Sequence, residues 1–281
     1  MPIQFFETPP VRRVGVIGWP IEHSISPAMH TAAFEALGLH GWHYDRYAIP
    51  PDIVRISLRE FRDHGFVGLN VTVPLKEAVV PFVRPDEVAL AVGAVNTITF
   101  RGNEGTNTDV RGFIDDLAAH GVAVAGQPVV VLGAGGAARA AVYGLSRAGA
   151  VVHIANRTPD RARALFAHMG LPERLIAPDA IAALGPALVV NTTPLGMAGG
   201  GEPAALPFDP AALTTPTVVY DMVYRPAETP LLAAARAHGH TALNGLGMLV
   251  RQGAAAFSLW TGAEAPIDVM FAAARAALEP R

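Results

Sequence analysis

The sequence predicts an α/β fold in two domains, and three observations carry that expectation. Short apolar, β-rich runs alternate with helix-like segments along most of the chain, the pattern of largely parallel sheets covered by helices. A glycine-rich turn at residues 133–138 stands between an apolar strand and a helix, the opening of a βαβ unit. The 281 residues are 51% hydrophobic and 16% charged, too apolar for a disordered chain. At roughly 100 to 200 residues per domain, that length suggests two.

Taken in order, residues 14–17 read as a strand, and Ser26-Pro27 opens a helix through about Leu37, proline being suited to a first turn. Residues 44–49 are the next strand, 51–64 a helix and 66–73 another apolar strand. Residues 94–100, followed by Gly102-Asn103-Glu104-Gly105, suggest a hairpin-like stretch before a helix starting near Asp109, with a domain boundary there. The pattern restarts at Pro128: a strand over 129–132, the glycine-rich turn, a helix to about Ala148 and a strand over 151–155. Further strands are expected at 187–190, 217–220 and around Thr241, and closing helices over 248–260 and 266–278.

Composition excludes several kinds of chemistry. With no cysteine, disulfide scaffolds, thiolate-bound metals and cysteine nucleophiles are out. No His/Asp/Glu cluster has ligand spacing, so no metal is expected, and His238 and His240 read as surface residues. The 21 Lys+Arg against 24 Asp+Glu give a charge of −3, without the basic excess that nucleic acid or an anionic membrane rewards. A small ligand, an anionic one included, fits better. Residues 1–10 lack a basic stretch followed by an apolar one, so they do not read as a secretory signal. Residues 180–201 are long enough to span a bilayer but are broken by Pro186, Asn191, Pro194 and a glycine run. A cytoplasmic protein is expected. No repeat or isolated apolar helix face marks an interface, which leaves monomer and homodimer both open.

Gly133-Ala134-Gly135-Gly136-Ala137-Ala138 fits G-x-G-x-x-(G/A). Gly133 suits the tight turn, Gly135 lets the backbone approach a pyrophosphate, and Ala138 permits close helix–strand packing. The helix start offers free N–H groups and a positive dipole end to phosphate. At the end of the next strand, where an acid usually holds the ribose of NAD, the chain reads Asn156-Arg157-Thr158, with Arg161 about one turn on. Guanidinium groups pair with a 2′-phosphate, which favours NADP. The plainer alternative is that Arg157 and Arg161 are solvated beside Asp160.

Polar residues crowd other strand ends: residues 23–27, 70–76, 94–97 and 107–109. Strand carboxyl ends border the ligand crevice of an open α/β sheet, so these groups could converge there. Each also has a plain reading: Ser24 or Ser26 as a helix cap, Asn96 and Asn107 as turn formers, Lys76 with Asp109 as a surface ion pair.

The ordered blocks HSISP, NVTVPLKEAV, GAVNT, NTD, GAGGAAR, NRTPDRA, NTTPLGM, DMVY and NGLGMLVRQGA, running from about Val14 to Trp260, closely resemble the shikimate dehydrogenase family. The resemblance implies reversible reduction of 3-dehydroshikimate to shikimate with NADPH, a step of aromatic amino acid biosynthesis. It implies an N-terminal, mainly parallel α/β substrate domain (1–108), a Rossmann-type NADP-binding domain (109–243) and C-terminal helices (244–281) returning to the substrate domain. Catalysis is then expected in the cleft between domains, with hinge closure excluding water. Lys76 would be the proton donor and acceptor, assisted by Asp109. Ser24 and Ser26 would hold the substrate carboxylate, and Thr72, Lys76, Asn96, Asp109 and Gln252 would surround the ring hydroxyls, with Tyr224 facing the substrate. Asn191, Thr192 and Met222 would lie nearer the nicotinamide, and Gly245 would join Gly133, Ala134, Gly135, Gly136, Ala137, Asn156, Arg157, Thr158 and Arg161 around the cofactor. The sequence departs from the family pattern at Leu75 (commonly histidine), Thr106, Val110 and Asn244 (often aspartate). Two alternatives remain open: an NAD-dependent quinate/shikimate dehydrogenase, and a non-catalytic NADPH-binding regulator on the same fold.

Overall fold

The computed structural model describes residues 11–198 and 204–279. Residues 1–10, read above for a leader, the glycine run at 199–201 and the last two residues lie outside them. Strands β1 (Arg12–Gly18), β2 (Trp42–Ala48) and β3 (Gly68–Val71) run parallel, joined through helices α1 (Ser26–Ala36) and α2 (Val54–Asp63). From Val14 onward β1 is buried continuously, as a strand covered on both faces must be. The expected helix over 51–64 begins as a 3-10 turn, Pro51–Ile53, before α2.

The chain then forms β4 (Arg84–Pro85), α3 (Glu87–Val92), β5 (Thr97–Thr99) and β6 (Glu104–Thr106), completing a sheet of order β2-β1-β3-β5-β6-β4. The expected hairpin is β5–β6, and β5 is antiparallel to both β3 and β6, so this sheet is mixed. Helix α3 has no counterpart in the sequence reading, because six residues are too few for a period to show. It is set by its ends: the Asp86 carboxylate accepts from Ala89 N at 2.8 Å, and Gly93 closes it with φ 71°. Helix α4 (Thr108–Ala119) starts under Asn107, whose side chain accepts from Asp109 N and donates to Ala94 O at 2.9 Å.

The second sheet is wholly parallel. Strands β7 (Pro128–Leu132), β8 (Val151–Ala155), β9 (Leu188–Asn191), β10 (Val218–Asp221) and β11 (Thr241–Asn244) lie in the order β11-β10-β9-β7-β8. Helices α5 (Gly136–Arg147), α6 (Pro159–Met169), α7 (Ile181–Leu184) and α8 (Pro230–Ala237) connect or cover them. Strand order reverses about β7, which opens a crevice at its carboxyl end. His240 corrects the sequence reading: it enters β11 buried beneath the turn at Pro210, Nε2 3.2 Å from Pro210 O, whereas His238 is exposed.

Helices α9 (Leu246–Thr261) and α10 (Ile267–Leu278) turn back to the first sheet, where Phe257, Trp260 and Met270 share a core with Met29, Phe34, Trp42 and Tyr44. Helices α4 and α9 pack backbone against backbone. A Cβ on Gly247 would overlap Asp116 Oδ1, and one on Gly112 would lie 2.7 Å from Gln252 N. Asp116 ties this pair to the second sheet, accepting from Tyr220 OH at 2.7 Å and Arg251 Nε at 3.3 Å. No helix among the described residues is long and apolar enough to cross a membrane.

His30 sits wholly inside the first core, stacked on Tyr44 at 4.2 Å, and neither ring nitrogen meets a protein hydrogen-bond partner. Burial disfavours its charged form and pushes its pKa down from 6.5 to about 3. Between those values the unfolded chain binds the extra proton, so acidification through this window destabilises the fold by up to about 1.4 kcal/mol per pH unit. Above the window the group adds no slope. In urea melts compared at neutral pH and at about pH 5, His30→Leu is expected to lose less stability on acidification than the parent. An equal loss in both would remove His30 as the cause.

Candidate active site

Strand direction explains why the polar residues meet. The carboxyl ends of β1 and β3 lie at one edge of the first sheet, followed by Ser24 and Ser26 after β1, and Thr72 and Lys76 after β3. Because β5 is antiparallel, it presents its amino end, with Asn96, at that same edge. Strand β6 reverses again, so its carboxyl end delivers Thr108 and Asp109 there too.

Asp109, in the first turn of α4, is 4% exposed. Its Oδ2 accepts from Lys76 Nζ at 2.6 Å and its Oδ1 from Asn96 Nδ2 at 2.7 Å. The helix N-terminus favours its negative charge. Asn96 also accepts from Thr108 N at 2.7 Å, and its amide lies 3.4 Å from Gln252 Oε1 on α9. Behind this layer Tyr44 donates to Asn70 Oδ1 at 2.8 Å, and Asn70 donates to Thr97 Oγ1 at 3.1 Å. Burial raises the Tyr44 phenol well above its ordinary pKa, so it stays a neutral donor. Ser24 donates to Ser26 Oγ at 3.2 Å, forming a hydroxyl pair at the start of α1 rather than a side-chain helix cap.

Across the cleft, Gly133 adopts φ 110°, a left-handed conformation that an L side chain resists, and a Cβ there would meet Thr192 Oγ1 at 2.5 Å. A Cβ at Gly135 would meet nothing within 4 Å, so open space lies before the α5 N-terminus, which no side chain caps. Gly136 and Ala137 form the first turn of α5, Ala134 is buried, and Ala138 is fully buried against the sheet. At the end of β8, Asn156 donates to Thr158 O at 2.7 Å and holds the turn. Asp160 pairs with Arg163 at 2.7 Å; Arg157 and Arg161 are exposed and have no ion-pair partner among the described residues. The solvated cluster beside Asp160 is thus built by a different arginine, Arg163.

Several expected residues have other environments. Asn191 is fully buried: its amide donates to Asp221 at 2.9 Å and its Oδ1 accepts from Thr193. Its side chain holds the β9–β10 loops rather than opening on the cleft. Thr192 donates to Leu132 O at 2.7 Å, bracing the glycine turn. Asp221 receives Asn191, Val223 N and Thr229 Oγ1, yet burial still raises its pKa. Met222 packs on the second core, and Gly245, at the start of α9, presses so close that a Cβ would overlap Met222 O. Tyr224 reaches across to the first core, and burial raises its phenol pKa.

Among the departures from the family pattern, Leu75 is fully buried with Ile17, Leu69 and Val71 in a separate core of the first sheet, and Thr106 donates to Asp86 on the surface. Val110 packs against the Val92–Ala94–Ala140 cluster, and Asn244 secures α9 through Leu246 N. None is hydrogen-bonded to Lys76 or Asp109. Sequence reasoning missed Tyr44, which no motif marks, and Arg139, which stands inside the glycine block without a role in it. A cavity of about 810 Å³ opens behind α4, lined by Val110, Ile114, Arg147 and Leu259 among others. It contains neither Lys76 nor the glycine turn, so chemistry rather than volume locates the site.

A lysine–carboxylate pair facing a glycine turn at the reversal point of a parallel sheet defines a dinucleotide-dependent α/β dehydrogenase. Residues 16–98 match the shikimate dehydrogenase substrate binding domain, and residues 245–275 match the shikimate 5'-dehydrogenase C-terminal domain. A shikimate dehydrogenase (NADP(+)) of Methanocella arvoryzae is 44% identical over 94% of this chain and 98% of its own. The crystal structure of shikimate 5-dehydrogenase from Thermus thermophilus in complex with NADP(H) and shikimate superposes with a TM-score of 0.87 at 39% identity, over 95% of this chain and all of that one. Quinate dehydrogenase from Corynebacterium glutamicum in complex with NAD gives 0.83 at 34%, over 95% and 99%. The chain belongs to the shikimate dehydrogenase family.

Asn96→Ala leaves Thr108 N without its acceptor and Asp109 Oδ1 without its donor. A loss of about 2–3 kcal/mol is expected in chemical denaturation. A change below about 0.5 kcal/mol would mean that other groups replace both bonds.

Proposed function

We propose that the protein catalyses the reversible NADPH-dependent reduction of 3-dehydroshikimate to shikimate. The observation that carries this is the Lys76–Asp109 contact of 2.6 Å beside the glycine turn, in a chain similar over 94% of its length to a shikimate dehydrogenase (NADP(+)). In this reading 1–108 is the substrate domain, 109–243 the cofactor domain, and 244–281 the helices that close on the former. The reaction belongs to the cytoplasm, in a monomer or a homodimer.

The residues present fit a dinucleotide phosphate. Open space before an uncapped helix N-terminus suits a pyrophosphate, and two exposed arginines, Arg157 and Arg161, suit a 2′-phosphate. When bound, the cofactor supplies the hydride that reaches the ketone carbon. Lys76 stabilises the negative charge that develops on the ketone oxygen and delivers a proton there from Nζ; in the reverse direction Nζ takes the proton from the hydroxyl. Asp109 accepts from Nζ, which fixes where that proton points. Ser24 and Ser26 bind the substrate carboxylate by their hydroxyls, and Thr72, Asn96 and Gln252 bind the ring hydroxyls, with Tyr224 closing the far side. Gly133, Ala134, Gly135, Gly136 and Ala137 cradle the pyrophosphate, and Asn156 and Thr158 shape the ribose turn. Thr192, Met222 and Gly245 border the nicotinamide, Asn191 contributing through the loop it holds.

The NAD-dependent quinate branch shares the fold, as the Corynebacterium glutamicum enzyme illustrates. The lack of an acid at Asn156-Arg157-Thr158 favours NADP. The retained lysine–carboxylate pair disfavours a purely regulatory binder. Initial rates with shikimate or quinate, each with NADP or NAD, test this: turnover is expected with shikimate and NADP, and preference for quinate or NAD would move the protein to the other branch. Lys76→Ala should lower kcat by roughly 10²–10⁴-fold while NADPH binding, followed by fluorescence, persists. Unchanged turnover would overturn the role of Lys76. Arg157→Ala should raise the Kd for NADPH by about tenfold or more, the loss of a charge-assisted hydrogen bond.

A further inference from the structure

The two sheets meet a second time beside the candidate site, through residues with no part in the reaction so far. A Cβ on Gly136 would lie 3.4 Å from Lys76 Cβ and Cδ, so the first turn of α5 runs along the lysine stem. One turn later on the same helix, the Arg139 side chain reaches back across the cleft. Its Nη1 donates to Val92 O at 3.2 Å, and its Nε stands 3.4 Å from an oxygen of Glu77, the residue after Lys76.

The acceptor is well chosen. Val92 is the last residue of α3, and carbonyls at a helix C-terminus lack intrahelical partners and carry the negative end of the dipole. His168 of α6 lies at the same helix end, Nε2 3.0 Å from Leu90 O. Gly93 makes room for both, since a Cβ there would come within 2.9 Å of Arg139 Nη1 and 2.7 Å of His168 Nε2. Beneath these contacts Val92, Ala94 and Ala140 form a fully buried apolar seam between the two halves. The Arg139 side chain is only 15% exposed, so its charge has little water to fall back on.

We infer that Arg139 is a positioning residue, clasping the glycine-turn helix to the Lys76–Glu77 segment so that dinucleotide occupancy and placement of the proton donor are energetically coupled. The clasp rests on the reading of Gly133–Gly136 as the pyrophosphate cradle and Lys76 as the proton donor. A ligand that orders the start of α5 orders the arginine one turn along, and through Glu77 the chain carrying Nζ. By reciprocity, substrate held at Lys76 tightens the cofactor.

The test measures NADPH affinity with and without saturating shikimate, and kcat, in the full chain, Arg139→Met, Arg139→Lys and Glu77→Gln. In the parent, shikimate should tighten NADPH by roughly 5–150-fold, the usual span of site–site coupling. Arg139→Met keeps the apolar stem; it should bring that ratio close to one and lower kcat by roughly tenfold or more, with NADPH affinity alone little changed. Arg139→Lys should recover part of the ratio, because an ammonium keeps the charge beside Glu77 but lacks the planar group that reaches Val92 O. Glu77→Gln, at a half-exposed position, should weaken the ratio even if Arg139→Met fails to fold. A parent without coupling, or variants that lose stability or kcat while keeping the parent ratio, would overturn the clasp. Parent turnover with shikimate and NADP, measured in the same series, reports separately on the underlying reading, since the coupling ratio needs only binding.

Discussion

Everything at the site depends on how Asp109 is buried, partnered and aimed. A carboxylate removed from water is costly unless opposite charge and donors replace its hydration. Here Lys76 supplies the charge and Asn96 a donor, at 2.6 and 2.7 Å, and the first turn of α4 supplies the helix dipole. Apolar residues of matching volume would pack with less desolvation, and such replacements are often neutral or stabilising. An ion pair at this position therefore makes sense as chemistry: Asp109 holds Nζ at one point, and the proposed mechanism asks Nζ to carry the proton from there.

The same contact explains why α4 begins where it does. Asn107 caps the helix and bonds Ala94 O, and Asn96 receives Thr108 N, so the hairpin β5–β6 and the helix start are one hydrogen-bonded unit. Helix α4 then carries that unit's orientation to the second sheet. Its seam with α9 leaves no room for a Cβ at Gly112 or Gly247, and buried Asp116 fastens both helices to Tyr220 of β10. Two glycines and one carboxylate thus make a stiff connection behind the cleft. The clasp at Arg139 lies near the start of α5, above the apolar seam of Val92, Ala94 and Ala140.

Much of this was legible in the sequence because it follows local rules. Strict βαβ alternation marks the second sheet, and the glycine turn with Ala138 marks the fit of α5 onto β7. The order of polar blocks picks out Lys76, Asn96 and Asp109, and the structure brings the three together at one edge, Asn96 and Asp109 buried and Lys76 partly so. What stayed hidden depends on tertiary placement. Helix α3 is too short for a period, and the antiparallel setting of β5, which brings Asn96 to the edge, cannot be read from composition. Asn191 illustrates the limit: a polar residue at a strand end reads as a cleft residue, but its neighbours Asp221 and Thr193 take up its amide, so it braces the loop beneath. The sequence misleads at His240 for a related reason, since its ring meets the Pro210 turn, 30 residues away in sequence.

The departures at Leu75, Thr106 and Val110 bear on what can vary around a fixed reaction. Each is adjacent in sequence to the site, yet Leu75 points into a core, Thr106 bonds a surface aspartate and Val110 faces the seam with Ala140. In a strand or helix end, neighbouring side chains leave in opposite or widely separated directions, so adjacency in sequence is not adjacency at the site. Val110 is the instructive case, because it packs on the seam that also supports Arg139. A change of volume there presses on the packing of α4 against α3 and α5, so such a position bears on how the two halves sit together.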